Sequence, residues 1–185
     1  MISTLLNVVG GSSKRRDMIR DINLEEMSRT LGCGKLTTGT GLNQEQCLQR
    51  PGDTRWGSHA KTLKSLVAMF RSIIKVLEFV EEEDTDRTNR DQAIGLLMYF
   101  QSFDFVFYLH LMLTILTTTN TLSLALQRKD QDIVNAMKCV KSTRTVLNEL
   151  RENGWDSLVG EVHVFCEKHD IIEFDMEEAY VNPKK

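Results

Sequence analysis

Residues 54–83 read TRWGSHAKTLKSLVAMFRSIIKVLEFVEEE. Leu63, Leu66, Val67, Phe70, Ile73, Ile74, Leu77 and Val80 recur at steps of three and four, the spacing that gathers side chains on one face of an α-helix. Lys61, Lys64, Arg71 and Lys75 fall between them, where solvent-facing positions belong. The stretch predicts one long amphipathic helix. It ends in Glu81-Glu82-Glu83-Asp84. Acids at a helix C-terminus oppose the helix dipole, so this end is expected to fray.

Downstream the same logic continues. From Asp91 the segment is apolar nearly all round, with Ile94, Leu96, Leu97, Phe100, Phe103, Phe105, Phe107, Leu109 and Leu113. Such a helix belongs at the centre of a bundle. Ser102 or Asp104 offers a break, with a second helix continuing through Leu116. A further segment, Leu122 to Arg128, leads through Asp130 and Asp132 into a stripe of Ile133, Ala136, Met137, Val140, Val146, Leu147 and Leu150, which Gly154 ends. A last helix runs from Trp155 or Asp156 to His169 on Leu158, Val159, Val162, Phe165 and Cys166. The tail, 171–185, is acidic and expected to be poorly ordered.

Upstream the pattern is more broken. Residues 2–9 fit either a helix or a buried strand, because periodicity cannot arbitrate over so short a run. Gly10-Gly11-Ser12-Ser13 interrupts it, and Ser13 is placed to start a short basic helix with Lys14, Arg15, Arg16 and Arg20. A second short helix is expected over Leu24 to Leu31. Gly32, Gly34, Gly39 and Gly41 mark a flexible loop over 32–52, the natural hinge. The fold class is therefore mainly α: a helical bundle behind a loop-rich lead-in.

The 185 residues carry a net charge of −3, so nucleic-acid binding, if present, has to be local. Four cysteines at irregular spacing, with no CxxC, point to free thiols in a reducing compartment. The longest apolar run, Phe105 to Leu116, contains His110 and is too short to span a bilayer, so no membrane partner is expected. The apolar N-terminus has no basic leader, and no secretory signal is expected.

The densest chemistry is Arg50-Pro51-Gly52-Asp53-Thr54-Arg55-Trp56-Gly57-Ser58-His59. Arg55 beside Trp56 at a helix start can pair a phosphate and stack on a base. The pair serves equally as a lid on a bundle, with Arg55 bound to Asp53. His59, one turn on, adds a donor or is an ordinary surface histidine. Lys61 and Lys64 extend a basic row that either tracks a phosphate backbone or forms a solvated helix face. His163, Cys166 and His169 lie at helical steps, but one straight helix does not wrap three ligands around an ion, so no metal site is assigned. The acids Asp84, Asp86, Asp104, Asp130 and Asp132 form no recognisable catalytic constellation.

The stretch Pro51 to His59 resembles the Arg-Trp segment of hAT-superfamily transposases. The likeness is to plant domesticated relatives described as zinc finger MYM-type protein 1-like or TTF-type zinc finger proteins with a hAT dimerisation region. Asn7-Val8-Val9-Gly10 with Lys14-Arg15-Arg16-Asp17, Gly41-Leu42-Asn43-Gln44-Glu45, Gln101 to Phe107, Leu126 to Val134 and Phe165-Cys166-Glu167-Lys168-His169 agree in order. The likeness covers nearly the whole chain.

The resemblance implies a nuclear protein with an N-terminal zinc finger, an RNase H-like core bearing an Asp-Asp-Glu triad, and a long helical insertion in that core. Residues 1–31 then correspond to a remnant of the core, 32–52 to the loop and 53–170 to the insertion. The triad falls outside this chain, so the chain is not expected to be an enzyme. Mg and Zn are expected only for the full-length architecture, and no cofactor for this chain. Oligomerisation is expected through regions elsewhere. The resemblance implies DNA as partner, with Arg55 and Trp56 handling a transposon end and Trp56 stacking there; His59, Lys61 and Lys64 join them as contacts on the local reading of the basic row alone. The alternative is a helical protein-interaction module without a nucleic-acid role, using the aromatic segment 99–109 as its face.

Overall fold

The structure is a computed structural model that describes residues 1–30, 48, 52 and 56–172, the side chains of residues 26–30 and 56 excepted. The expected loop over 32–52 therefore lies outside the described residues except at Leu48 and Gly52, and the expected tail except at Ile171 and Ile172. Every regular element among the described residues is a helix: α1 (Ile2–Gly10), α2 (Ser13–Thr30), α3 (Trp56–Ala68), α4 (Phe70–Glu83), α5 (Arg87–Phe100), α6 (Phe103–Leu126), α7 (Ile133–Asn153) and α8 (Trp155–Lys168). The mainly α class holds. Residues 2–10, ambiguous by periodicity, are helical.

Several boundaries follow from local chemistry. Ser102 caps α6 by accepting from Phe105 N, and Asp132 caps α7 by accepting from Asn135 N. Gly154 ends α7 and begins α8. Two helices run longer than expected. α2 is continuous over 18 residues, with no Gly or Pro to interrupt it. α6 runs for 24 residues, absorbing Leu122–Leu126. Its threonine-rich middle is accommodated because Thr114, Thr118, Thr119 and Thr121 donate their hydroxyls back to carbonyls one turn earlier. By length and composition α6 is apolar enough to cross a membrane, contrary to the expectation from its shorter apolar run. In this fold it packs against α3, α7 and α8.

The helix expected over 54–83 is divided at Met69, where φ is −108° and ψ 15°. The hydrogen-bond ladder continues through the bend: Met69 N donates to Ser65 O and Ile73 N to Met69 O, each at 2.9 Å. The bend lets α3 pack on α6 while α4 packs on α5. Beside it stands an aromatic cluster. Phe70 meets Phe100 and Phe165 edge-on at 6.5 and 5.0 Å, Phe100 meets Phe105 at 4.5 Å, and His169 lies 4.3 Å from Phe165. One contiguous core therefore joins α4 and α5 to α6 and α8.

Helices α1 and α2 share that core. Leu5, Val8 and Val9 are buried, and α1 packs on α4 and α5. Arg15 of α2 donates to Val8 O at 2.5 Å and pairs with Asp84 at the end of α4. Asp84 also accepts from Asp86 N at 2.9 Å and from Asn89 Nδ2 at 3.3 Å. The acidic end of α4, expected to fray, is thus tied down by a cation and two donors.

Helix α7 departs furthest from its sequence pattern. None of its residues is buried. Ala136, Cys139, Thr143, Leu147 and Leu150 are half-buried, while Ile133, Met137, Val140 and Val146 are exposed.

Candidate nucleic-acid interface

Helix α3 positions the candidate contacts. Leu63 and Leu66 sink into the core, which turns Lys61 and Lys64 outward. Both lysines are exposed, and neither forms an ion pair with another described residue. Arg71, beyond the Met69 bend, is also exposed, and Lys75 is half-buried. His59 takes another direction. Four residues before Leu63, it shares the inward side of the helix and lines an apolar cavity of about 310 Å³ with Leu63, Leu66, Leu109 and Met112. The fold brings Lys61 and Lys64 together and sets His59 apart from them.

Arg55 lies outside the described residues. Trp56 is the first residue of α3, and its side chain lies outside them too. The anchoring around the pair is defined. Ser58 Oγ accepts from Gly52 N at 2.9 Å and donates to Gly52 O at 3.2 Å. This clasp ties Gly52 to the first turn of α3, on either side of Arg55 and Trp56. Ser58 O accepts from the buried Thr62 Oγ1 at 2.9 Å, which satisfies that hydroxyl. Gly57 sits against α6 so closely that a Cβ there would overlap Asn120 Oδ1. The start of α3 is fixed from two sides. The sequence alone does not single out Ser58 or Gly57. Their signal is a hydroxyl and a glycine within the Arg-Trp motif, and only the partners give them roles.

The acids weighed as a catalytic set stand apart. Asp84 is held at the α4–α5 turn, Asp86 caps α5 by accepting from Thr88 N, and Asp104 is exposed in the first turn of α6. Asp130 accepts two hydrogen bonds from Arg128, at 3.0 and 2.7 Å. That contact holds the Asp130 carboxyl below its ordinary pKa and raises that of the guanidinium. Among the described residues no three His, Cys, Asp or Glu side chains come together to hold a metal ion. Cys166 is buried, His169 packs edge-on to Phe70 and tilted against Phe165, and His163 lies 5.9 Å from Phe103.

The segment 99–109 is mostly interior. Phe100, Phe103, Phe105, Val106 and Leu109 are buried, and only Tyr99 and Tyr108 among its large hydrophobic side chains are exposed. No family model matches the chain, and no solved structure matches it.

Proposed function

We propose that this chain is the helical region of a hAT transposase-like protein and contacts DNA through the outer face of α3. The observation that carries the reading is the exposed Lys61–Lys64 row, which forms no ion pair among the described residues, on the same helix as Trp56. Two cations at i, i+3 suit successive phosphates, and an aromatic ring at the helix start suits an unstacked base. The order of the motifs along the chain supports the family assignment, with residues 1–31 as the core remnant and a nuclear location. The chain acts as a binding element rather than a catalyst.

The test is fluorescence anisotropy of the full chain with duplex and hairpin DNA across a salt series. Binding is expected to weaken linearly in log–log form as salt rises. Lys61→Ala with Lys64→Ala should flatten the slope by about 0.9 for each phosphate that is no longer neutralised. Trp56→Ala should weaken hairpin binding by ~1–3 kcal/mol. Absent or salt-insensitive binding to both DNAs rejects the reading.

A second reading, a protein-docking module, is favoured by one observation: the exposed apolar stripe on α7. The aromatic segment 99–109 is largely spent in the core, so docking would use α7 instead.

A further inference from the structure

We infer that the cavity where α1, α3, α5 and α6 meet is a binding site for a small uncharged aromatic molecule. Ile2 of α1, Leu63 and Leu66 of α3, Tyr99 of α5 and Leu109 of α6 all contribute to its walls. Its volume of about 310 Å³ falls within the range of small-molecule sites. Tyr99, Tyr108 and Met112 line it and are exposed, whereas Leu63, Leu66, Leu109 and Leu116 are buried. The cavity is thus reached from solvent over its exposed rim. A guest enters without unfolding the bundle, which separates this site from a packing gap sealed inside a core.

The lining selects the guest. Among the described residues, no Asp, Glu, Lys or Arg lines the cavity. A charged molecule would give up its hydration there and gain no counter-charge, so the guest is uncharged. Tyr99 and Phe105 meet edge-on at 5.0 Å, and Tyr108 follows one turn after Phe105 on α6. Rings set this way offer edges and faces to a further ring. Met112 has an unbranched side chain that adapts to the outline of what it covers. His59 brings a hydrogen-bonding ring to the same cavity, which suits a guest with a single hydroxyl or ring N–H. An apolar cavity of ~150 Å³ takes one benzene ring, so about twice that volume suits two fused rings.

The probe is 2-naphthol at neutral pH, titrated calorimetrically into the full chain. One site per chain is expected, together with a melting temperature that rises with probe concentration, because the guest braces four helices at once. The charged analogue 2-naphthoate should bind weaker by about tenfold or more. Leu63→Phe and Met112→Trp each add bulk to the cavity, from α3 and from α6. Each should abolish binding in a chain with unchanged helical circular dichroism. Met137→Glu, on the exposed stripe of α7, should leave binding as it is. The inference is overturned by no binding of 2-naphthol, by equal binding of 2-naphthoate, by binding that survives the filling substitutions, or by binding lost with Met137→Glu, which would mean adsorption to α7. Lys61→Ala with Lys64→Ala, on the outer side of α3, should also leave 2-naphthol binding unchanged, so this inference and the DNA reading fail separately.

Discussion

Arg15 touches two elements at once, the C-terminal turn of α1 through Val8 O and the end of α4 through Asp84. Its side chain and that of Asp84 are 12% and 13% exposed, so removing the cation leaves a largely desolvated carboxylate. Asn89 and Asp86 N still serve Asp84, which limits the damage. Arg15→Ala is expected to cost about 2 kcal/mol, read as a lower urea midpoint, with Asp84→Asn costing less. His110 is a different case. Its Nε2 is buried without a hydrogen-bond partner, and Glu161 lies 3.9 Å from Nδ1, beyond hydrogen-bonding reach. Burial lowers its pKa below 6.5, against the smaller opposing pull of Glu161. The unfolded chain then takes up a proton on acidification before the folded one does. The stability tied to His110 is complete above about pH 6.5 and falls as pH drops below it. Melting between neutral and mildly acidic pH should show a fall that His110→Phe reduces. Neither arrangement was fully legible in the sequence: Arg15 and Asp84 stand 69 residues apart, and although His110 lies in the apolar run Phe105 to Leu116, nothing local shows which groups face it.

At the scale of elements, most of the bundle was legible. Apolar periodicity located α4, α5, α7 and α8, the break expected at Ser102 or Asp104 falls at the start of α6, and Gly154 ends α7 as expected; the capping by Ser102 and Asp132 shows only in the structure. The bend at Met69 was not legible, because neither Gly nor Pro stands there and the hydrogen bonds run through it. The exposure of α7 was not legible either. Periodicity tells which face of a helix is apolar, and a partner has to be found in space. The candidate site was half legible: Lys61 and Lys64 were placed outward by the Leu63–Leu66 spacing, whereas the Ser58–Gly52 clasp needed the chain to turn back on itself. Glycine supplies an element-scale test. A Cβ at Gly154 would come 2.5 Å from Leu150 O and 2.8 Å from Leu150 Cα, so the α7–α8 corner must open to accept it. Gly154→Ala should cost about 1–2 kcal/mol. Gly160 lies within α8 with nothing near its would-be Cβ, so Gly160→Ala should instead stabilise by ~0.5–1 kcal/mol. Opposite signs from the same substitution in thermal melts would establish that the corner, rather than helix propensity, sets the first effect.

For the molecule as a whole, the question is whether residues 1–30 form a unit of their own. The sequence places a loop after residue 31, and the family resemblance assigns the two sides to different parts of a parent protein. The packing links them: Leu5 and Val8 are 0% and 1% exposed, and their cluster includes Phe70, Leu77, Phe100 and Val162. Leu5→Ala removes buried methyl groups and leaves a cavity, at an expected cost of ~2–5 kcal/mol. If the core is one cooperative body, that cost appears at its far end. Trp155 is a suitable reporter, on α8, with its ring 5.4 Å from Phe107. In a Trp56→Phe background it is the sole tryptophan. Denaturant titration of Leu5→Ala should shift the Trp155 fluorescence transition and the helical circular dichroism transition together, by the same free energy. A Trp155 transition that stays in place while part of the helical signal disappears early would mean that α1 and α2 melt alone. Burial decides the expectation, because a helix pair held only by the Arg15–Asp84 contact could detach, whereas one that contributes Leu5, Val8 and Val9 to the common core exposes that core when it leaves.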